Sequence, residues 1–216
     1  MNDAFNKLCE LFRKFPGIGP RQAKRFAFFL LTAEQSYCAE LARRIEEMRR
    51  EMAHCSRCFR FFEKRGVRRE CGICADPERE NGMLMVVATD TDLAAIENSG
   101  VFTGRYFVLG GTIPLVSAPA AGRVRLKELL ALISAENKKK GLTEIILALS
   151  ANTEGEYTAD ELRRQIAPLL VLPAQAGDSP IKISMLGRGL STGSELEYAD
   201  KETIKSALKN RASTNT

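Results

Sequence analysis

Cys55-Ser56-Arg57-Cys58 and Cys71-Gly72-Ile73-Cys74 form two C-x-x-C pairs, set between a Pro16-Gly17-Ile18-Gly19-Pro20 turn and a C-terminal part that alternates strand and helix patterns. A tight turn at each pair lets two thiolates grip one metal, and thiolates at this spacing favour tetrahedral zinc. The residues between the pairs supply a short two-stranded ribbon. Four thiolates close the coordination sphere and leave no place for a reactive water, so one structural Zn2+ per chain is expected at Cys55, Cys58, Cys71 and Cys74. The alternatives are two disulfides or four idle thiols. Against disulfides, Met1-Asn2-Asp3-Ala4-Phe5 shows no basic region leading into an apolar core and a cleavage site. A reducing, cytoplasmic setting is therefore expected, where such pairs usually serve metal. Phe59, Phe61 and Phe62 can pack beside a small metal site, whereas Arg57, Arg60, Lys64, Arg65, Arg68 and Arg69 are expected to face water or a polyanion. His54, the only histidine, is a bystander or an alternate ligand.

N-terminal to the cysteines the pattern is helical. Ala4, Leu8, Leu11, Phe12 and Phe15 follow a helical period that stops at Pro16. A second helix is expected over Arg21 to Leu31, with Ala23, Phe26, Ala27 and Leu30 inward. A third, Tyr37 to Met52, would bury Leu41, Ile45, Met48 and Met52. Cys9 and Cys38 read as buried free thiols. The glycines of the turn let the backbone pass close to a ligand, and the helix that opens there offers unpaired amides and a positive dipole end to a phosphate. Arg21 and Arg25 stand one turn apart to hold neighbouring phosphates. The segment thus looks like a helix-hairpin-helix motif, which grips nucleic-acid backbone without reading bases; the alternative for such a turn by itself is a simple αα-corner. Gly17, Ile18, Gly19, Arg21, Lys24 and Arg25 are the candidate DNA-binding residues.

The charge distribution points the same way. The formal net charge is +5, yet residues 1–80 carry 17 basic against 12 acidic side chains while residues 81–216 carry 15 of each. A polyanion-binding part joined to a neutral part is implied. Within the third helix, Arg43, Arg44, Arg49 and Arg50 alternate with Glu40, Glu46, Glu47 and Glu51, as on a solvated surface. The longest apolar runs, such as Phe26 to Leu31, fall far short of the roughly 20 residues of a membrane span.

Beyond Gly82 short apolar runs alternate with helical patterns. Met83 to Ala88, Tyr106 to Leu109, Ile145 to Leu149 and Ile181 to Met185 are strand candidates, and Leu93 to Ile96, Val124 to Ile133 and Ala159 to Leu170 are the intervening helices. Such repetition argues for a parallel sheet covered on both faces. Gly110 to Gly122 and Pro173 to Pro180 read as loops, and Ala212 to Thr216 as a polar tail. Acidic residues follow two strand ends, Asp90 and Asp92 after the first and Glu154 and Glu156 after the third. They could hold magnesium, although helix caps explain Asp90 and Asp92 equally well. Gly110-Gly111 lacks the Lys and Ser/Thr of a P-loop.

Taken in order, these features resemble the RecR family of bacterial recombination-repair proteins. The resemblance rests on Leu8 to Phe28, the paired cysteines, Gly104-Arg105-Tyr106-Phe107-Val108-Leu109-Gly110, Thr153-Glu154-Gly155-Glu156-Tyr157-Thr158, and Gly189 to Tyr198. It implies a mixed α/β chain: a helix-hairpin-helix region over 1–53, a four-cysteine zinc ribbon over 54–76, a Toprim domain with a Rossmann-like parallel sheet over 82–177, and a C-terminal helical and strand segment over 178–216. It further implies assembly into rings or clamps, binding to RecO and RecF, and help in loading RecA onto gapped or single-stranded DNA. Glu154 and Glu156, with Glu195 to Tyr198, would serve partner or self contact. Catalytic Toprim enzymes carry a glutamate at the end of the first strand and an Asp-x-Asp pair after the third. Here Ala88, Ser150 and Asn152 hold those places, and a neutral trio cannot bind magnesium tightly or move a proton. A non-enzymatic mediator is expected; the alternative is a metal-dependent nuclease or primase-like Toprim enzyme with a zinc ribbon.

Overall fold

In the computed structural model, residues 2–115, 124–139, 141–170, 181–187, 189–190, 193 and 195–210 are described. The chain divides into two compact units, Met1–Ala53 and His54–Thr216. Of the expected loops, 173–180 lies outside the described residues, as do 116–122 of the first loop, the tail 212–216, and Ser191, Thr192 and Ser194 of the C-terminal segment.

The first unit holds three helices, α1 (Asp3–Phe12), α2 (Pro20–Thr32) and α3 (Gln35–Glu51). The Asn2 side chain caps α1 by accepting the Ala4 amide. The helix stops earlier than its apolar period suggests. After Phe12 the chain tightens into turns, with the amides of Lys14 and Phe15 donating to Leu11 and Phe12. Cys9, Ala23 and Ala27 are buried where α1 meets α2, with Phe5, Leu8, Phe12 and Ile18 packed around them. Alanine at the crossing lets the two backbones approach closely.

Three expectations fail here. Leu41, Ile45 and Met48 of α3 are 37%, 49% and 58% exposed, and none of the helix's residues is buried. The apolar stripe is real, but α3 meets α2 at its first turn, where Tyr37 stands edge-on to Phe29, and the rest of the stripe is open. Cys38 is half-buried rather than buried, its thiol donating to the Leu30 carbonyl, and Phe26 is 40% exposed. A helical period fixes which residues share a face; it does not supply a neighbour for that face.

A two-stranded ribbon joins β1 (Met52–His54), which precedes the first cysteine pair rather than lying between the pairs as expected, to β2 (Phe61–Glu63), and the short helix α4 (Gly72–Ala75) follows. Four parallel strands follow: β3 (Met83–Val87), β4 (Arg105–Val108), β5 (Glu144–Ala148) and β6 (Lys182–Met185), in the order β4-β3-β5-β6. Val86 pairs with Phe107 on one side and Leu147 on the other. Helices α5 (Asp90–Ser99), α6 (Leu126–Lys138) and α7 (Thr153–Leu170) link the strands, and α8 (Lys201–Lys209) follows a 3-10 turn over Leu196–Tyr198. Each expected strand is met to within one residue. Helix α7 starts six residues before the expected Ala159, because the Asn152 carboxamide caps it by accepting the Gly155 amide at 2.8 Å.

Side chains alternate across the sheet. Leu84, Val86, Phe107, Ile145 and Leu147 pack with Leu129 and Ile133 of α6 and Leu162 and Ile166 of α7. Met85, Val87, Tyr106 and Val108 face the other way, and there Leu93 of α5 shares a core with Ile73 and all four paired cysteines. The second face of the sheet is thus covered partly by the cysteine module, a role the sequence pattern does not reveal.

Candidate metal centre and nucleic-acid interface

Cys55, Cys58, Cys71 and Cys74 are each no more than 5% exposed, and their sulfur atoms all lie within 4.8 Å of one another. Local hydrogen bonds build this convergence. The Phe59 amide donates to the Cys55 carbonyl at 3.0 Å, and the Cys55 amide to the Arg60 carbonyl at 2.9 Å, closing the first turn. Ala75 donates to Cys71 at 3.0 Å in the second, and Ser56 to Arg69 at 2.9 Å ties the two together. The Cys71 amide points at Cys55 Sγ, 3.3 Å away. Phe59 takes a left-handed conformation with φ 61°, which a non-glycine residue adopts only where its surroundings hold it. Its ring lies against Phe107 and under the Arg125 guanidinium.

The donor set fits a soft, tetrahedral cation. Hydrogen bonds from Cys58, then Cys71 and Cys74, hold the Cys55 thiol low, and the bond to Cys55 in turn pushes the thiols of Cys58 and Cys74 up. Four sulfurs this close cannot all ionise by themselves; a divalent cation among them lets them do so. His54 is exposed, its Nδ1 3.0 Å from the Phe59 carbonyl oxygen and its ring on Phe61, and it does not join the sulfur cluster. Of the two readings of His54, bystander is the one that holds.

The module is bonded to the sheet and to helices α5 and α6. Val108 donates to the Cys58 carbonyl, and Phe61 to Asp90 Oδ1, both at 2.8 Å. Arg57 pairs with Glu136 of α6 at 3.2 Å, both largely buried, so Arg57 does not face a polyanion as expected. Arg60 also turns inward, its Nε shielded and without an acceptor. Lys64, Arg65, Arg68 and Arg69 are exposed as expected. Sequence reasoning missed Arg105, a buried guanidinium at the start of β4 that donates to the Cys74 carbonyl at 2.6 Å. The available signal was an arginine opening the apolar run Arg105-Tyr106-Phe107-Val108.

In the first unit, Gly17 has φ 76°, a left-handed turn that glycine adopts without strain. Gly19 is the N-cap of α2 and Pro20 its first residue, and no side chain caps this end. The first-turn amides of Arg21 and Gln22 therefore have no helical acceptor. Arg21, Lys24 and Arg25 are exposed around them, and Arg25 Nη1 donates to Gln22 at 3.3 Å. Ile18, by contrast, packs into the small core.

At the carboxyl ends of β3 and β5, Ala88 is buried and Ser150 exposed, and Asn152 caps α7. The nearby acids are engaged elsewhere. Asp92 closes a capping box with Thr89, accepting its amide at 2.9 Å; Asp90 accepts Phe61; Glu154 accepts the Thr112 hydroxyl at 3.0 Å. Asp92 thus takes the cap role, one of its two expected readings, while Asp90 ties down the ribbon. Glu156 is exposed and lines a cleft of about 430 Å³ with Asp160, Arg163 and Lys209. Among the described residues no helix is long and apolar enough to cross a membrane.

Comparison with known proteins agrees with this arrangement. Residues 5–49 match the family described as RecR, helix-hairpin-helix, residues 82–176 the Toprim domain, and residues 189–212 RecR, C-terminal. The chain is 38% identical over 205 residues to a protein of Chloroflexus aurantiacus named Recombination protein RecR, covering 95% of this chain and 92% of that one. Proteins of the same name from Syntrophobacter fumaroxidans and Legionella pneumophila are 37% identical over 211 residues and 35% over 210, covering 98% and 97% of this chain and 94% and 96% of theirs. The chain belongs to the RecR family.

Proposed function

We propose that this chain is a DNA-binding, non-enzymatic mediator of recombinational repair, as the names of its relatives suggest. The observation that carries the reading is the uncapped start of α2, where free amides and exposed Arg21, Lys24 and Arg25 converge beyond the Gly17 turn. Such a surface meets phosphates and no base edges. Region 1–53 is assigned to this contact. One Zn2+ at Cys55, Cys58, Cys71 and Cys74 keeps the ribbon over 54–76 against the parallel sheet of 82–177. That sheet serves as a binding platform: Ala88, Ser150 and Asn152 supply no carboxylate, and the acids beside them are already hydrogen-bonded. Glu154, Glu156 and the segment over 178–216 provide contacts to RecO, RecF or further copies in a ring or clamp, in the service of loading RecA. The setting is the bacterial cytoplasm and its nucleoid.

The test is DNA binding as a function of salt. R21A/R25A is expected to weaken every DNA target alike and to flatten the slope of log affinity against log salt by about one unit per lost phosphate contact. Unchanged binding in that variant, or a marked preference for one base sequence, overturns the reading.

A further inference from the structure

Among the described residues, the buried charge of Arg105 has no carboxylate to answer it. The residue is only 9% exposed, and its three acceptors are the Asn81 side-chain oxygen at 2.5 Å, the Cys74 carbonyl at 2.6 Å and the Asp76 carbonyl at 3.4 Å. All three are neutral. Among the described residues no carboxylate lies within ion-pair distance of it, although Arg57 and Arg79 nearby pair with Glu136 and Glu97. A guanidinium cannot shed its proton, and a charge taken out of water needs an opposite one. The carbonyl that Arg105 grips belongs to the last of the four clustered cysteines. Four thiolates around one divalent cation form a doubly negative centre, buried in the core that Arg105 borders.

We propose that Arg105 is the counter-charge and positioning residue of the four-cysteine metal centre: its guanidinium fixes the Cys74 backbone and offsets the excess negative charge of the thiolate cluster. This rests on the zinc reading given above. It also gives the strand residue a role in metal retention, because β4 ends at Val108, whose amide holds the Cys58 carbonyl. One short strand thereby grips one cysteine of each pair.

The experiment measures zinc affinity of the purified full chain by competition with a chromophoric chelator. R105Q keeps a long polar side chain without charge and is expected to bind zinc about 10- to 100-fold more weakly, as loss of a group that orients a metal ligand does. R105K restores the charge and recovers most of that loss. In a C71H background the centre carries one negative charge fewer, so the R105Q penalty shrinks there; a residue acting through packing alone would cost the same in both backgrounds. Zinc affinity in R105Q equal to wild type overturns the proposal, as does an undiminished penalty in C71H. Should R105Q purify unfolded, R105K decides: near wild-type affinity upholds the charge role, and a loss of about tenfold or more rejects it. A wild-type chain that takes up no zinc defeats the zinc reading itself, whereas tight zinc binding unaffected by R105Q defeats only the role of Arg105.

Discussion

The backbone amide of Val108, the last residue of β4, donates to the carbonyl of Cys58 across 2.8 Å. The first cysteine pair is therefore hydrogen-bonded to the parallel sheet, and its sulfurs share a core with Met85, Val87 and Tyr106. Metal binding and folding are coupled when the ligands form part of a core. Chelation of the metal, or Cys58→Ser, is expected to lower hydrogen-exchange protection at the amides of Val108 and Phe61 together. The amides of β5, whose outer core faces α6 and α7, should stay protected. Protection that changes over 55–75 alone would show the module to be an independent appendage.

A side chain on Gly155 would collide with the carbonyl oxygen of Ser150 and stand 3.2 Å from Asn152 Oδ1. Backbone cannot yield as a flexible side chain does, so Gly155→Ala should cost about 1–3 kcal/mol, the range for overpacking a tight site. Gly17→Ala should cost about 1–2 kcal/mol for a different reason, its left-handed φ of 76°. Gly19→Ala, with open space around the added carbon and an ordinary φ of −83°, should cost little beyond its cap preference. Urea unfolding of the three variants separates collision from conformation; equal costs at Gly155 and Gly19 would rule the collision out.

The sequence carried the four-cysteine cluster and the sheet because both depend on local signals. Cysteine spacing fixes which atoms can converge, and unbroken apolar runs between helical patterns fix buried parallel strands. It did not carry the exposure of Ile45 and Met48, since a stripe declares a face and not its partner. Nor did it reveal that Arg57 and Arg105 turn inward. Arg57 is expected at the surface and Arg105 carries no expectation of its own; what draws them in is a carboxylate 79 residues away for one and the backbone of Cys74 for the other. Those are tertiary facts with no periodicity to betray them. Asp90 illustrates the same limit: a residue in the first turn of α5 reads as part of a cap, whereas its carboxylate serves the ribbon strand β2.

Glu144 opens β5, and the Ser184 hydroxyl of β6 donates to it, with Lys182 of the same strand 3.4 Å away. The hydrogen bond from Ser184 first, then Lys182, holds its carboxyl below the ordinary glutamate value of 4.5. A group with a depressed value contributes stability that is present above its unfolded value and lost as pH falls through the folded one. Exchange protection along β6 should therefore be constant above about pH 5 and decline on acidification below the ordinary value. In Glu144→Gln that acid-side decline should be smaller. An identical decline in both proteins would place the acid sensitivity elsewhere.

Ser150 and Asn152 follow β5 where catalytic Toprim enzymes place two aspartates, and Ala88 follows β3 in place of their glutamate. A metal-assisted phosphoryl reaction needs carboxylates close to one ion, both to offset its charge and to place the reacting oxygen. The acids that remain nearby are Asp90, Asp92 and Glu154, bonded to Phe61, Thr89 and Thr112, and the exposed Glu156. Glu154 and Glu156 also sit in the first turn of α7, where negative charge favours the helix. E154K/E156K should cost about 0.3–1 kcal/mol per site through that dipole and leave zinc content unchanged. Its larger effect should be on a basic protein partner, with slower association and a steeper loss at low salt than at high salt. Magnesium should alter neither the stability of the chain nor the integrity of supercoiled, nicked or single-stranded DNA incubated with it. Magnesium-dependent nicking, relaxation or primer synthesis by the pure protein, abolished by E154K/E156K, would make these two glutamates metal ligands and the chain an enzyme.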